Sequence, residues 1–205
     1  MIEEINNMNP QARKISRVVE VLRSGGVIAF PTDTYYAIGC DIMNKKAIEK
    51  IYQLKQRDKK QPFSFLCADL KNISEYAKVS NQSYRIIKRL VPGPYTFILE
   101  GTRLVPKMML NKRKEAGIRV PDHTICNAIV AALGNPIIST TASTPSGEYL
   151  DSPFAIDSFF KNRIDIVIDG GNVSGGPSTV IAMSDSGIEV IREGIGKLDG
   201  LIEAE

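Results

Sequence analysis

The sequence predicts one mixed α/β domain, a twisted sheet with helices packed against it, and three observations predict it. Helical patterns alternate with strand-like runs along the whole chain. No internal repeat or low-complexity linker interrupts the alternation. At 205 residues with 43% hydrophobic content, the chain can bury one substantial core, so residues 1–205 are read as a single domain. Such alternation favours a sheet with helices over a bundle or a sandwich.

The elements follow in order. A helical pattern at residues 11–24 ends at the breaker Gly25-Gly26, and the apolar run Val27-Ile28-Ala29-Phe30 reads as a buried strand. It ends at Pro31 in a group of hydroxyls and a carboxylate, Thr32-Asp33-Thr34-Tyr35. Ala47, Ile48, Ile51 and Leu54 then recur at helical spacing within residues 44–57, which puts Lys55 and Arg57 at a helix C-terminus. Two residues apart, these cations would point to opposite faces of a continuing helix and converge only if the helix stops; Asp58 and Pro62 supply a stop. Two cations there could equally do no more than complement the helix dipole. Further helices are expected at 82–91, 123–134 (with Asp122 as candidate cap) and 153–161, and further strands at 63–67, 95–100, 117–120, 136–140, 164–168, 179–183 and 188–192.

Composition excludes several classes. There is no apolar stretch of membrane-spanning length, and Met1-Ile2-Glu3-Glu4 lacks the basic and apolar regions of a leader, so a soluble cytoplasmic protein is expected. Cys40, Cys67 and Cys126 are widely spaced, which argues against a disulfide framework and a structural zinc site; Cys40 and Cys67 read as core residues. His123 is the only histidine, so any triad would have to use it. A net charge of +3 is short of a dedicated nucleic-acid binder. The charge is nevertheless clustered: Lys55, Arg57, Lys59 and Lys60 form one group, and Arg103, Lys107, Lys112, Arg113, Lys114 and Arg119 a second. Converged on one concavity, such cations would attract a triphosphate or an RNA backbone by the same Coulomb attraction; dispersed, most are a solvated surface.

No standard nucleotide motif is present, neither G-x-x-x-x-G-K-[ST] nor G-x-G-x-x-G. The local candidate is the glycine-dense run from Asp169 to Thr179, between the strands at 164–168 and 179–183. Glycines let a backbone approach a ligand closely, and Ser178 and Thr179 offer hydroxyls. An ordinary turn accounts for the same run.

Taken together, these segments resemble the YrdC-like family of threonylcarbamoyladenylate synthases. The opening tract Phe30 to Tyr35 and the K-x-R at Lys55 and Arg57 are followed, in the family's order, by Val91 to Leu99, Gly117-Ile118-Arg119-Val120-Pro121, Pro136 to Ala142, Ser178-Thr179-Val180 and Val190-Ile191-Arg192-Glu193-Gly194. The resemblance implies a twisted mixed sheet around a large open basic cavity. It implies condensation of L-threonine or a similar amino acid, bicarbonate and ATP into threonylcarbamoyl-AMP and pyrophosphate, for tRNA threonylcarbamoyladenosine modification. Lys55 and Arg57 would be the catalytic pair, neutralising and orienting anions. Arg119, Ser139, Thr141, Ser178 and Arg192 would hold the nucleotide, the two arginines bidentately. Thr32 would sit against the amino acid, and Mg²⁺ would travel on the triphosphate, since no protein metal cage is apparent.

The chain departs from that pattern at three places. Leu66 stands where the full synthases carry a histidine, Thr141-Ala142-Ser143 replaces S-A-N, and Tyr36-Ala37 replaces Y-G. These substitutions resemble the YciO-like branch and put threonine recognition in question before nucleotide binding. With Glu205 as the last residue, the longer two-domain form is not expected. A reading from another class stands beside the enzyme: a protein that binds double-stranded RNA or tRNA with the same basic concavity and without catalysis.

Overall fold

The computed structural model describes residues 1–184 and 187–198. In chain order its elements are β1 (Ile2–Glu4), α1 (Ala12–Arg23), β2 (Ile28–Phe30), β3 (Ala37–Gly39), α2 (Lys45–Lys55), β4 (Ser64–Leu66), α3 (Leu70–Tyr76), α4 (Asn81–Leu90), β5 (Tyr95–Glu100), β6 (Glu115–Arg119), α5 (Thr124–Leu133), β7 (Ile137–Thr141), α6 (Pro153–Phe160), β8 (Ile166–Asp169), β9 (Thr179–Ser184) and β10 (Gly187–Arg192). The strands form one mixed sheet in the order β1-β8-β2-β3-β7-β4-β6-β5-β9-β10.

Local chemistry sets the helix ends. The Asn44 side chain caps α2 by accepting from the Ala47 N–H, and Ser80 and Ser152 do the same for α4 and α6. Helix α2 stops at Lys55, two residues before the expected end at 57, because Gln56 turns into the left-handed region (φ 48°, ψ 38°). At α5 the expectation fails. His123 takes the N-cap position without a side-chain bond, and Asp122 instead donates its backbone N–H to Asp33 Oδ2 at 3.1 Å.

Alternation along the strands decides where a cavity can form. Ile28, Ala37, Leu66 and Ile137 belong to one apolar cluster with Val18 and Leu22 of α1 and Ile125 and Ile129 of α5. Their neighbours Ala29, Ile38, Phe65 and Ile138 belong to the other, with Ile48 and Ile51 of α2. Successive residues therefore serve opposite faces, and both are covered at this end of the sheet. Further along, Ser64, Ser139 and Thr141 follow the period of two from Leu66 and Ile137, so they share the face that α1 and α5 cover. There the apolar periodicity gives way to hydroxyls.

Candidate functional site

The cleft opens at that change of chemistry. It encloses about 380 Å³, within the range of small-molecule sites. Strand β4 contributes Ser64, β5 Thr96 and Ile98, β6 Gly117 and Arg119, and β7 Ser139 and Thr141, while Arg57, Ser178 and Arg192 close its sides. The register fixes these neighbours: Ser64 pairs with Ser139, and Leu66 with Arg119.

Arg119 forms a buried wall. Only 7% exposed, it donates from Nη2 to Asp33 Oδ1 at 2.7 Å and from Nη1 to Thr34 Oγ1 at 3.2 Å. Burial lowers its pKa, and the Asp33 carboxylate opposes that shift. Its Nε is buried without an acceptor among the described residues, an unusual state for a charged donor beside a cavity. The bidentate fork expected of Arg119 is thus half used within the protein. Thr32 lies behind this wall and does not line the cleft. It is 2% exposed, donates its hydroxyl to the Tyr35 carbonyl at 2.6 Å and meets Thr34 Oγ1 at 3.0 Å, so it fixes the tract that carries Asp33.

The opposite rim is open. Arg192 is exposed and donates from Nε (3.2 Å) and Nη2 (2.8 Å) to the Ser178 carbonyl, with Nη2 also reaching Ser178 Oγ at 3.2 Å. Ser178 Oγ shares a 2.8 Å hydrogen bond with Thr96 Oγ1. Thr179 faces away: fully buried, its hydroxyl donates to the Gly196 carbonyl and accepts the Gly194 N–H. The glycine-dense run makes its close approach to protein backbone. A Cβ at Gly175 would sit 1.9 Å from the Thr34 carbonyl oxygen, so only glycine lets the run lie on the Thr32 to Tyr35 tract.

The Lys55 and Arg57 pair diverges. Arg57 lines the cleft with its guanidinium carbon 5.0 Å from the Phe63 ring centroid, a cation–π contact. Lys55 does not line it. Its Nζ donates to the Thr141 carbonyl (3.0 Å), the Ser143 carbonyl (2.9 Å) and Ser143 Oγ (2.7 Å). Burial, with a smaller contribution from Arg57, pushes its pKa down to about 8.

The charge clusters do not converge. Of the first, Arg57 reaches the cleft and Lys59 and Lys60 are exposed; of the second, Arg119 reaches it. Arg103, Lys107 and Lys114 instead line another depression of about 670 Å³, together with Lys78 and Glu100, which pair at 2.6 Å. All three cysteines are buried and their thiol pKa values are raised by desolvation, as suits core residues. His123 is likewise outside the lining, and burial lowers its pKa. No helix of the described residues is long and apolar enough to cross a membrane.

Comparison with known proteins gives this site a family. The family model for Sua5, YciO and YrdC, described as "Telomere recombination", matches residues 20–194. The chain belongs to the Sua5/YciO/YrdC family. The "Uncharacterized protein YciO" of Escherichia coli (strain K12) is 43% identical over 190 residues, covering 92% of both chains. The crystal structure of E. coli YciO superposes with a TM-score of 0.92 over 97% of this chain and 98% of that one. The "Putative threonylcarbamoyl-AMP synthase" of Methanocaldococcus jannaschii is 33% identical over 202 residues, covering 95% of this chain and 93% of the relative. P. abyssi Sua5 complexed with L-threonine is 26% identical with a TM-score of 0.87, over 95% of this chain and 57% of that one. The family relation therefore extends to threonylcarbamoyl-AMP synthases.

Several residues of this family member were not singled out from sequence. Asp33 and Thr34 were seen as a polar tract but not as partners of Arg119, Thr96 not as the partner of Ser178, and Ser143 not as the partner of Lys55. For Thr96 a signal existed, since alternation in β5 puts it on one face with Ile98. Leu66 is fully buried in the α1/α5 cluster and does not line the cleft.

Proposed function

We propose that the cleft condenses L-threonine or a similar amino acid with bicarbonate and ATP to give threonylcarbamoyl-AMP and pyrophosphate, supplying tRNA threonylcarbamoyladenosine modification. The observation that carries this reading is the convergence of Arg57, Arg119, Arg192, Ser139, Thr141 and Ser178, from separate stretches of sequence, on one small cleft. The amine attacks bicarbonate to give a carbamate and water; a carbamate oxygen then attacks the α-phosphorus of ATP and pyrophosphate leaves. Every participant carries negative charge at some stage, so guanidiniums and hydroxyl donors fit the task better than a nucleophile would.

Arg192 and Arg57 face the triphosphate, and the unpartnered Nε–H of Arg119 donates to an oxygen of the carbamate or the amino-acid carboxylate. Ser139, Thr141 and Ser178 donate to phosphate or carbamate oxygens. Among the described residues no cluster of histidine, cysteine or carboxylates suits a metal ion, and Glu115, which lines the cleft, already accepts from Asn111 Nδ2 at 2.8 Å. Mg²⁺ would therefore be held by the triphosphate, whose charge it screens. The deciding assay is pyrophosphate release from ATP with bicarbonate and threonine, run against other amino acids. No release with any amino acid would refute the reading.

One observation favours RNA as a further partner. Arg103, Lys107 and Lys114 line a depression that adjoins the cleft at Asn111 and in which Lys78 is paired with Glu100, and three such cations suit a phosphate backbone. Charge reversal of Lys107 and Lys114 should abolish salt-sensitive RNA binding and spare pyrophosphate release.

A further inference from the structure

An ammonium has three N–H groups, and at Lys55 all three are occupied by acceptors of one short segment. In this geometry Lys55 has no donor left for a bound anion. What it holds is the start of a small hairpin. Ser143 bridges to Tyr149, the Thr144 N–H donates to the Glu148 carbonyl and the Leu150 N–H to the Ala142 carbonyl, both at 2.9 Å. At the other foot Tyr149 stacks on Tyr35, with ring centroids 4.2 Å apart and 16° between planes. Thr141, whose carbonyl Lys55 also holds, lines the cleft. The hairpin thus spans from the end of α2 to the tract that carries Asp33.

We infer that Lys55 is a positioning residue which, with Ser143, pins the 141–150 segment so that Thr141 faces the cleft and Tyr149 meets Tyr35, while substrate anions are met by the arginines. The Ser143 hydroxyl is the side-chain half of this strut. It is specific to the Thr141-Ala142-Ser143 sequence, because alanine at 143 would keep the two carbonyl contacts and lose the 2.7 Å one. The assignment rests on the proposed reaction for its catalytic consequence, but not for its structural one.

Two measurements separate these. In ligand-free protein, hydrogen exchange at the Thr144 and Leu150 amides should quicken about tenfold in Ser143→Ala and roughly 10- to 100-fold in Lys55→Met, since a hydrogen bond to a charged group is worth about 1.5 to 3 kcal/mol. Ser143→Thr, which keeps the hydroxyl, should restore the wild-type rate. Unchanged exchange in both Ser143→Ala and Lys55→Met would overturn the strut, whatever the reaction. In pyrophosphate release, Ser143→Ala should raise KM for ATP with a smaller change in kcat, and adding it to Lys55→Met should produce no further loss. If Lys55 contacts substrate instead, Ser143→Ala frees an N–H and leaves KM unchanged or lower, which would overturn the proposal. Quickened exchange with no turnover by any variant or by the wild type would keep the strut and sink the proposed reaction.

Discussion

Arg119 and Arg192 are the same side chain at opposite walls of one cleft, held in opposite ways. Arg119 is buried and tied to a carboxylate, whereas Arg192 is exposed and tied to a backbone carbonyl. Two charges in a dry wall are costly to separate, because either alone is left without solvent or partner. An exposed cation on a carbonyl loses little when removed, since water replaces the bond. The difference teaches that residues of one site need not share one kind of role: one guanidinium holds the cleft wall together through its ion pair, and the other adds little to stability.

The largest expected effect tests the buried side of that comparison. Asp33→Ala should destabilise the protein by about 3 to 5 kcal/mol, seen as a large drop in the midpoint of chemical denaturation, because it leaves Arg119 charged and unpaired. Adding Arg119→Leu should recover much of the loss. A change under about 1 kcal/mol in the single variant would show that the wall is wetter than its 8% and 9% side-chain exposures indicate.

Leu66 lies in register beside Arg119 and sharpens the boundary between core and binding surface. A histidine there enters the α1/α5 cluster, so Leu66→His should cost about 2 to 3 kcal/mol from lost packing and an unpaired ring nitrogen. If the variant is instead fully stable and gains turnover with threonine, the position opens to the cleft when substrate binds.

On the exposed side, Arg192→Ala should weaken ATP binding by roughly tenfold, about 1.4 kcal/mol, and change stability by no more than about 0.5 kcal/mol. Titration calorimetry and thermal melts together check this. Equal losses in binding and stability would erase the contrast with Arg119.

The remaining prediction concerns pH. Burial, then Arg57, lowers the Lys55 pKa from 10.5 to about 8. Between those values the unfolded chain binds more protons at this group than the folded one, so its contribution to stability becomes more favourable as pH rises from about 8 to 10.5. The stability of wild type minus that of Lys55→Met should therefore climb across that window. A flat difference would mean that the amine is well hydrated.

Strong periodic segments were legible in the sequence. Strand β5 has the expected bounds, and α1, α2 and α5 differ from expectation only at their ends. The missed elements lacked a pattern to read: β3 is three residues ending in glycine, β1 carries two glutamates on a strand that pairs only with β8, and α3 is barely two turns. The same limit applied to the site. Its hydroxyls Ser139, Thr141 and Ser178 were named through the family resemblance, but Arg119 meets Asp33 and Lys55 meets Ser143 across 86 and 88 residues, and only the tertiary fold brings them together. Lys55 and Arg57 were paired by the K-x-R resemblance and expected to converge only if the helix stopped, and it does stop. The turn at Gln56 sends one into the protein and the other to the cleft.

The contact of Gly175 with Thr34 bears on how this cleft can be re-engineered. Where Gly175 meets Thr34 backbone to backbone no side chain can absorb a mismatch, and the Tyr36 hydroxyl bonds Gly170 and Gly171 of the same run, so neither loop tolerates an independently chosen partner. Segment swaps between YciO-like and synthase-like members should therefore work only when the 30–36 tract and the 169–179 run are grafted as one cassette.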